Sequence, residues 1–304
     1  MRRLRFCRKA LGLGVVLFTA LGGCSNPTTE ADSPAVDASG VALRLRTDEL
    51  IVPAGSERYL CFAQTLQEDL VVGAYRSSPE VFVHHLVLAR ALAPEPEGMS
   101  ECDVLFRPTW DPLFISGAGA SELMLPADAG HTLKAGTQLV LQIHLLNVGE
   151  TPVSDTVEIE LQRATGSSPR PVSTYVFGTT QIALPPMQRS QAQSVCQMPE
   201  SIQLIAGFPH MHQLGRSLRF ERGLKPDNFE TLFVRDPYDF DDQHIEPVDI
   251  TLSAGDVTRL TCEYDNDRSD VIHFGESTRD EMCLFIAFAL DQPSGSECAT
   301  RAAP

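Results

Sequence analysis

From residue 43 onward the apolar residues come in short bursts broken by Pro, Gly, Asp and Asn. The runs VFVHHLVLARAL (81–92), QLVLQIHLL (138–146), QLIAGF (203–208), DVTRLTCEY (256–264) and MCLFIAFAL (282–290) are rich in Val, Leu, Ile and Phe. Bursts of this length, punctuated in this way, favour strands over helices. VEIELQ (157–162) and SLRFER (217–222) alternate apolar and polar residues, which is the period of a half-buried antiparallel strand. The reading is therefore all-β, and about 260 residues are enough for two sandwiches of ordinary size. Gly, Ser and Pro cluster in ATGSSPRPVS (164–173), so the expected division is 43–165 and 166–304. No repeat of fixed period is visible.

The first residues stand apart. MRRLRFCRKA is basic and LGLGVVLFTA is apolar but too short to span a bilayer, so residues 1–23 read as a signal peptide. It ends in LGGC, which resembles the lipobox of bacterial lipoproteins and makes Cys24 the expected lipidation site; a plain secretory signal or an uncleaved anchor is the alternative. Residues 24–42 are rich in Ser, Pro, Asp, Ala and Thr and read as a tether. The expected location is the bacterial cell envelope, with membrane attachment through the lipid alone.

The formal net charge is −16, and the signal carries basic residues but no acid, so the exported part is more acidic still. A strongly acidic chain argues against a nucleic-acid partner, because phosphate binding needs a basic face. Beyond Cys7 and Cys24 there remain Cys61, Cys102, Cys196, Cys262, Cys283 and Cys298, an even set with no CxxC pair. Outside the cytoplasm such a set favours three disulfides over zinc–thiolate or dithiol redox chemistry.

The chain has eight histidines, and five fall in three tight motifs on expected strands: His84 and His85 in VFVHHLVL, His144 in QLVLQIHLLN, and His210 and His212 in GFPHMHQLG. Residues i and i+2 of a strand share a face, so His210 and His212 can close on one ion while Met211 points away. His84 and His85 point to opposite faces of a regular strand and need a bulge or a strand end to act together. A lone histidine is usually a hydrogen-bonded or surface residue. Five of them among apolar strand residues would be costly polar groups unless they share a purpose, and a metal site is the simplest one. Imidazole suits zinc, copper or iron, whereas a thioether selects reduced copper. That draws Met282 in DEMC into the candidate set, although on its own it reads as a core methionine.

In order and spacing, VHHLVLARA, QIHLLN, HMHQLG and DEMC resemble the motifs of the copper type II, ascorbate-dependent monooxygenases, from about Tyr59 to Cys298. The resemblance implies two antiparallel, jelly-roll-like β-sandwich domains facing each other across an open solvent cleft, with two copper ions per chain. It implies that His84, His85 and His144 hold an electron-transfer copper, and that His210, His212 and Met282 hold the copper at which oxygen is activated. It also implies the pairs Cys61–Cys102, Cys262–Cys283 and Cys196–Cys298. Gln142, two residues before His144, would help shape the first site. His273 would lie outside the ligand set, and His131 and His244 read as ordinary structural residues.

On this basis the chain is expected to hydroxylate a C–H bond of a small molecule, using O2 and ascorbate or another one-electron reductant, as a monomer. Peptide-hydroxylating members use a basic residue before the HxH pair and a tyrosine after the methionine; here the neighbourhoods read GFPH and MCLFIAF, so a peptide substrate is not expected. Phe208 and Phe285 read first as packing residues. The competing reading is a copper-binding lipoprotein that buffers or delivers the metal without turnover, and behind it a metal-free adhesion module.

Overall fold

The alternating segments do form strands. The structure is a computed structural model that describes residues 40–77, 82–102, 107–166, 168–225, 228–292 and 296–300, with only the backbone path for 224, 225 and 296–300. The signal, Cys24, nearly all of the tether and the side chain of Cys298 lie outside the described residues. Among those described there are 23 strands and no helix. The first strand, Val41–Arg46, begins inside the expected tether, because Val41 and the residues after it pair with the strand Glu158–Arg163.

In the first half a five-stranded sheet runs in the order Gly98–Glu101, Ser56–Thr65, Gln138–Asn147, Val83–Ala91, Trp110–Ser116. It packs on Val41–Arg46, Glu158–Arg163, Leu70–Ser77 and Ala129–Leu133, which belong to a ten-stranded sheet. Leu86, Leu88, Leu141 and Ile143 of one layer share a core with Val72, Tyr75, Ile159 and Leu161 of the other. In the second half a four-stranded sheet, Gln188–Gln197, Val257–Asn266, Gly215–Lys225, Asn228–Arg235, covers Arg170–Thr179, Cys283–Leu290, Ile202–His210 and Glu246–Leu252 of the same ten-stranded sheet. Phe177, Leu204, Phe285, Leu218, Phe220 and Leu260 fill that core.

Ten strands of each half correspond in order and pairing, down to a shared corner. Asn147 gives its side-chain amide to the carbonyls of Val52, Pro53 and Thr151, and accepts from the Gly149 N–H. Asn266 does the same with Leu184, Pro185 and Asp270, and accepts from Arg268. The first half carries two extra strands, Gly98–Glu101 and Ser121–Met124, and the second half one, Ser296–Thr300, so equivalent residues are unevenly spaced. A fixed period could not have revealed the repeat.

The open cleft implied by the resemblance is not seen among the described residues. Arg170 and Pro171 pair in parallel with Ala129 and Gly130, so the ten-stranded sheet continues from one half into the other. The strand Cys283–Leu290 is buried at every position. Phe285, Ala287 and Ala289 face the second core, while Leu284 and Ile286 turn to Val87 and Ile115 of the first half, together with Phe208 and Met282. Burial on both faces explains the unbroken apolar run CLFIAFAL. The physical reason for closure is this dry contact.

Two expected disulfides are present, Cys61–Cys102 and Cys262–Cys283. Cys196 is also disulfide-bonded, but the expected pairing with Cys298 falls on a side chain outside the described residues. The second bridge ties the four-stranded sheet to the strand that follows Met282, closing a sequence separation of 21 residues. Replacing Cys262 and Cys283 together by Ser is expected to lower unfolding stability by about 3 kcal/mol. Urea denaturation with a midpoint unchanged from the parent would refute it.

Candidate metal centre

The strand Val83–Ala91 pairs with Gln138–Asn147 so that His85 lies opposite His144, yet Val83, not His84, lies opposite Leu145. His84 is the extra residue of a β-bulge, which is the device that adjacent histidines need to serve one centre. The nitrogens of His84, His85 and His144 that could bind a metal all lie within 4.8 Å of one another, and all three residues are buried. Gln142 is buried one pleat away on the same strand.

His144 is held from behind. Its Nε2–H donates to Glu57 Oε1 at 2.8 Å, leaving Nδ1 with its lone pair 3.2 Å from His85 Nδ1. Tyr59 lies flat on the imidazole, with ring centres 4.2 Å apart and planes 11° apart. The hydrogen bond from His144 holds the Glu57 carboxyl down at about 2 against the opposing pull of burial. Residues 57, 59 and 144 share one face of paired strands, Tyr59 directly opposite His144 and Glu57 opposite Leu146.

His210 ends the strand Ile202–His210, and His212 follows it into a turn. Their ring centres are 5.2 Å apart. His210 Nδ1–H donates to Gln243 Oε1 at 2.7 Å, and the Gln243 amide is itself fixed by donation to the Phe240 carbonyl at 2.8 Å. His212 Nδ1–H donates to the Asp280 carbonyl at 3.1 Å. In both rings Nδ1 is spoken for and Nε2 is the nitrogen left to bind, the arrangement that orients metal-ligating histidines. Gly117 makes room for Gln243: a Cβ there would sit 2.0 Å from the Gln243 carbonyl oxygen.

The carboxylate that gathers the second group is Glu281, fully buried. It accepts from the backbone N–H of Leu214 at 2.7 Å, of His212 at 2.9 Å and of Met282 at 3.3 Å, so the HMHQL turn and the methionine segment hang on one side chain. Burial raises its carboxyl to about 7 despite these bonds. The Met282 carbonyl accepts from Tyr264 Oη at 2.7 Å, and the side chain lies in the seam with Phe208.

The two groups form one contiguous cluster. His85 and His210 have ring centres 6.1 Å apart, and Phe240 of the second half lies 4.2 Å from His84 of the first. The buried Nε2 atoms of His84, His85 and His210 have no hydrogen-bond partner. Buried imidazole nitrogens without hydrogen-bond partners suit a soft or borderline metal ion. Of the remaining histidines, His131 is buried against Tyr75 Oη at 2.7 Å, His244 is partly exposed beside Asp242, and His273 is exposed on a short strand. Phe285 belongs to the second core, away from the histidines, whereas Phe208 stacks near His210 with centres 5.8 Å apart.

Glu57, Tyr59, Gln243 and Glu281 were not foreseen. Only Glu281 left a sequence signal, an acid abutting a wholly apolar strand in DEMC. Without Gln243 the His210 N–H would be buried and unpaired, so Gln243→Leu is expected to weaken metal binding ten- to a hundred-fold. Competition against a chelator measures this, and unchanged affinity would remove Gln243 from the site.

Burial lowers His84 and His210 to about 3, His212 to about 4 and His85 well below its ordinary 6.5, with neighbouring histidines adding to the effect. The unfolded chain therefore binds more protons than the fold as pH falls below 6.5, and each such histidine removes about 1.4 kcal/mol of stability per pH unit until its folded value is reached. Glu281 opposes this by one group between about 7 and 4.5. The melting temperature of the metal-free chain is expected to fall steeply from pH 6.5 to 4; a flat calorimetric profile would contradict the burial of neutral imidazoles.

Comparison with known proteins agrees with the motif resemblance. Residues 172–303 match the family model described as copper type II ascorbate-dependent monooxygenase, C-terminal domain. Human DBH-like monooxygenase protein 2 is 26% identical over 247 residues, covering 72% of this chain and 49% of that protein. DBH-like monooxygenase protein 1 matches over 105 residues, at 30% identity in human and 32% in mouse, covering 34% of this chain and 17% of each relative. The chain thus spans at most about half the length of these relatives. Among solved structures, an archaeal virus protein with a triple jelly roll aligns over 84% of this chain and 61% of its own, at 8% identity and a TM-score of 0.24, too low to guide interpretation.

Proposed function

We propose, from the premise that this chain belongs to the copper type II ascorbate-dependent monooxygenase family, that it is an exported enzyme which hydroxylates a C–H bond of a small molecule. The co-substrates are O2 and a one-electron reductant such as ascorbate; one oxygen atom enters the C–H bond and the other leaves as water, with electrons from the reductant. The observation that supports the reading is a second pair of buried histidines, His210 and His212, set beside the buried three-histidine group. A store for copper needs no such pair.

His84, His85 and His144 would hold one copper, and His210, His212 and Met282 the other. Bound copper would supply one-electron redox change and a place for O2. The protein's own part is to keep His84, His85, His210 and His212 neutral by burial, to orient His144, His210 and His212 through Glu57, Gln243 and the Asp280 carbonyl, and to exclude water with Phe208, Val87 and Ile286. The His144–Glu57 bond places a carboxylate at the outer edge of the first group, where Tyr59 stacks. Residues Phe208 and Ile286 beside the second group favour an apolar C–H donor over a charged one. Attachment to the cell envelope through Cys24, and action as a monomer, complete the proposal.

Copper content of the reconstituted, dialysed chain, read beside His84→Ala and His210→Ala, is the deciding measurement. About two coppers per chain, falling to about one in each variant, together with ascorbate-dependent O2 uptake that Met282→Ala abolishes, is the expected result. Copper retained with no such uptake would turn the assignment to buffering or delivery, and no retained copper would end both readings.

A further inference from the structure

The repeat of the two halves places the three-histidine group on a known backbone frame, and the second half contains the same frame. His144 lies opposite His85 across one strand pair and opposite Tyr59 across the other, with a bulge at His84. In the second half Glu263 lies opposite Ser217 across one pair and opposite Gln191 across the other. The bulge recurs too: Tyr264 pairs with Gly215 and Glu263 with Ser217, leaving Arg216 as the extra residue. Arg189, opposite Asp265, takes the place of Glu57 opposite Leu146. Even the contact recurs, since Ser217 Oγ meets Glu263 Oε2 at 3.1 Å where His85 Nδ1 meets His144 Nδ1 at 3.2 Å.

These residues are not scattered. Arg189, Gln191, Arg216, Ser217, Glu263 and Tyr264 line an open pocket of about 580 Å³ on the outer face of the four-stranded sheet. We infer that this pocket is the second half's copy of the three-histidine metal site, with its ligand positions at Arg216, Ser217 and Glu263 and its supporting position at Arg189. The backbone of a metal site is intact there, and only the side chains have been exchanged for ones that cannot bind a soft or borderline cation. A guanidinium at the bulge repels a cation, and a serine hydroxyl is a poor ligand for one. Arg216 is also tied down, donating to the carbonyls of Gln213 at 3.1 Å and Gly215 at 2.8 Å. The inference rests on strand register and holds whatever chemistry the buried cluster performs.

Restoring the three imidazoles should restore the site. The variant Arg216→His/Ser217→His/Glu263→His, with Arg189→Glu added to replace the supporting carboxylate, is equilibrated with Zn2+ and dialysed, and its metal content is compared with that of the parent chain. The expected result is one additional zinc per chain. Counting the gain over the parent keeps the test independent of how much metal the parent holds, so failure of the proposed function and failure of this inference are told apart. Because Ser217 is buried, Arg216→His/Glu263→His, which changes only exposed positions, is measured in parallel and should show a weaker additional site in a zinc titration. A folded variant of either kind, with parental near-ultraviolet circular dichroism and no added zinc, would overturn the equivalence.

Discussion

The rest of the structure depends on one dry contact, between the outer face of the five-stranded sheet and the strand Cys283–Leu290. Val87 and Ile115 meet Leu284, Ile286, Phe208 and Met282 there, and the same contact removes His84, His85, His144 and His210 from water. An imidazolium in such surroundings is costly, so burial holds His84, His85 and His210 neutral, with lone pairs available. Folding and the preparation of ligands are thus one event: the apolar burial that joins the halves is what makes the histidines able to bind a metal at all.

What the sequence made legible follows from which constraints are local. Strand alternation is local, so VEIELQ and SLRFER are legible as strands, whereas His210 and His212 lie near one another although the strand ends at His210 and His212 is outside it. The need for a bulge at His84–His85 could be stated from the pleat alone, and the register supplies it. The apolar run CLFIAFAL is legible as a strand, but its burial on both faces, and against what, is not. Gln243, Glu57 and Asp280 were invisible because each reaches its histidine across a fold-dependent distance, from a loop or another strand, with no pattern in the chain to mark it. The closure of the halves was likewise beyond reach, since a resemblance in motifs fixes the ligand segments and not the spacing between them.

Glu281 shows how one side chain resolves a conflict between propensity and position. The HMHQL turn leaves the backbone N–H groups of His212 and Leu214 buried without a strand partner, and Met282 immediately precedes the strand Cys283–Leu290. Three buried donors would each cost a desolvation penalty of about 1–3 kcal/mol if left unmade. A single buried carboxylate accepts all three, so the ligand segments are held relative to one another by their own backbones. This is a stiffer connection than side-chain packing would provide, because the acceptor fixes the chain on both sides of the site.

The outer faces of the two halves explain why one frame carries histidines and the other does not. On the first half, the face bearing His144 also bears Val140 and Gln142, and on the neighbouring strand Val87 and Ala89, all buried. On the second half, the equivalent face bears Thr261, Glu263 and Arg259, and beside them Gln191, Gln193 and Arg219, most of them exposed. Nothing among the described residues covers that face. A face that meets water is satisfied by charged and amide side chains, and these occupy the strand frame here. Coverage therefore decides the residue types: the same bulged strand pair becomes a candidate metal centre where the other half closes over it and an ordinary polar surface where it does not.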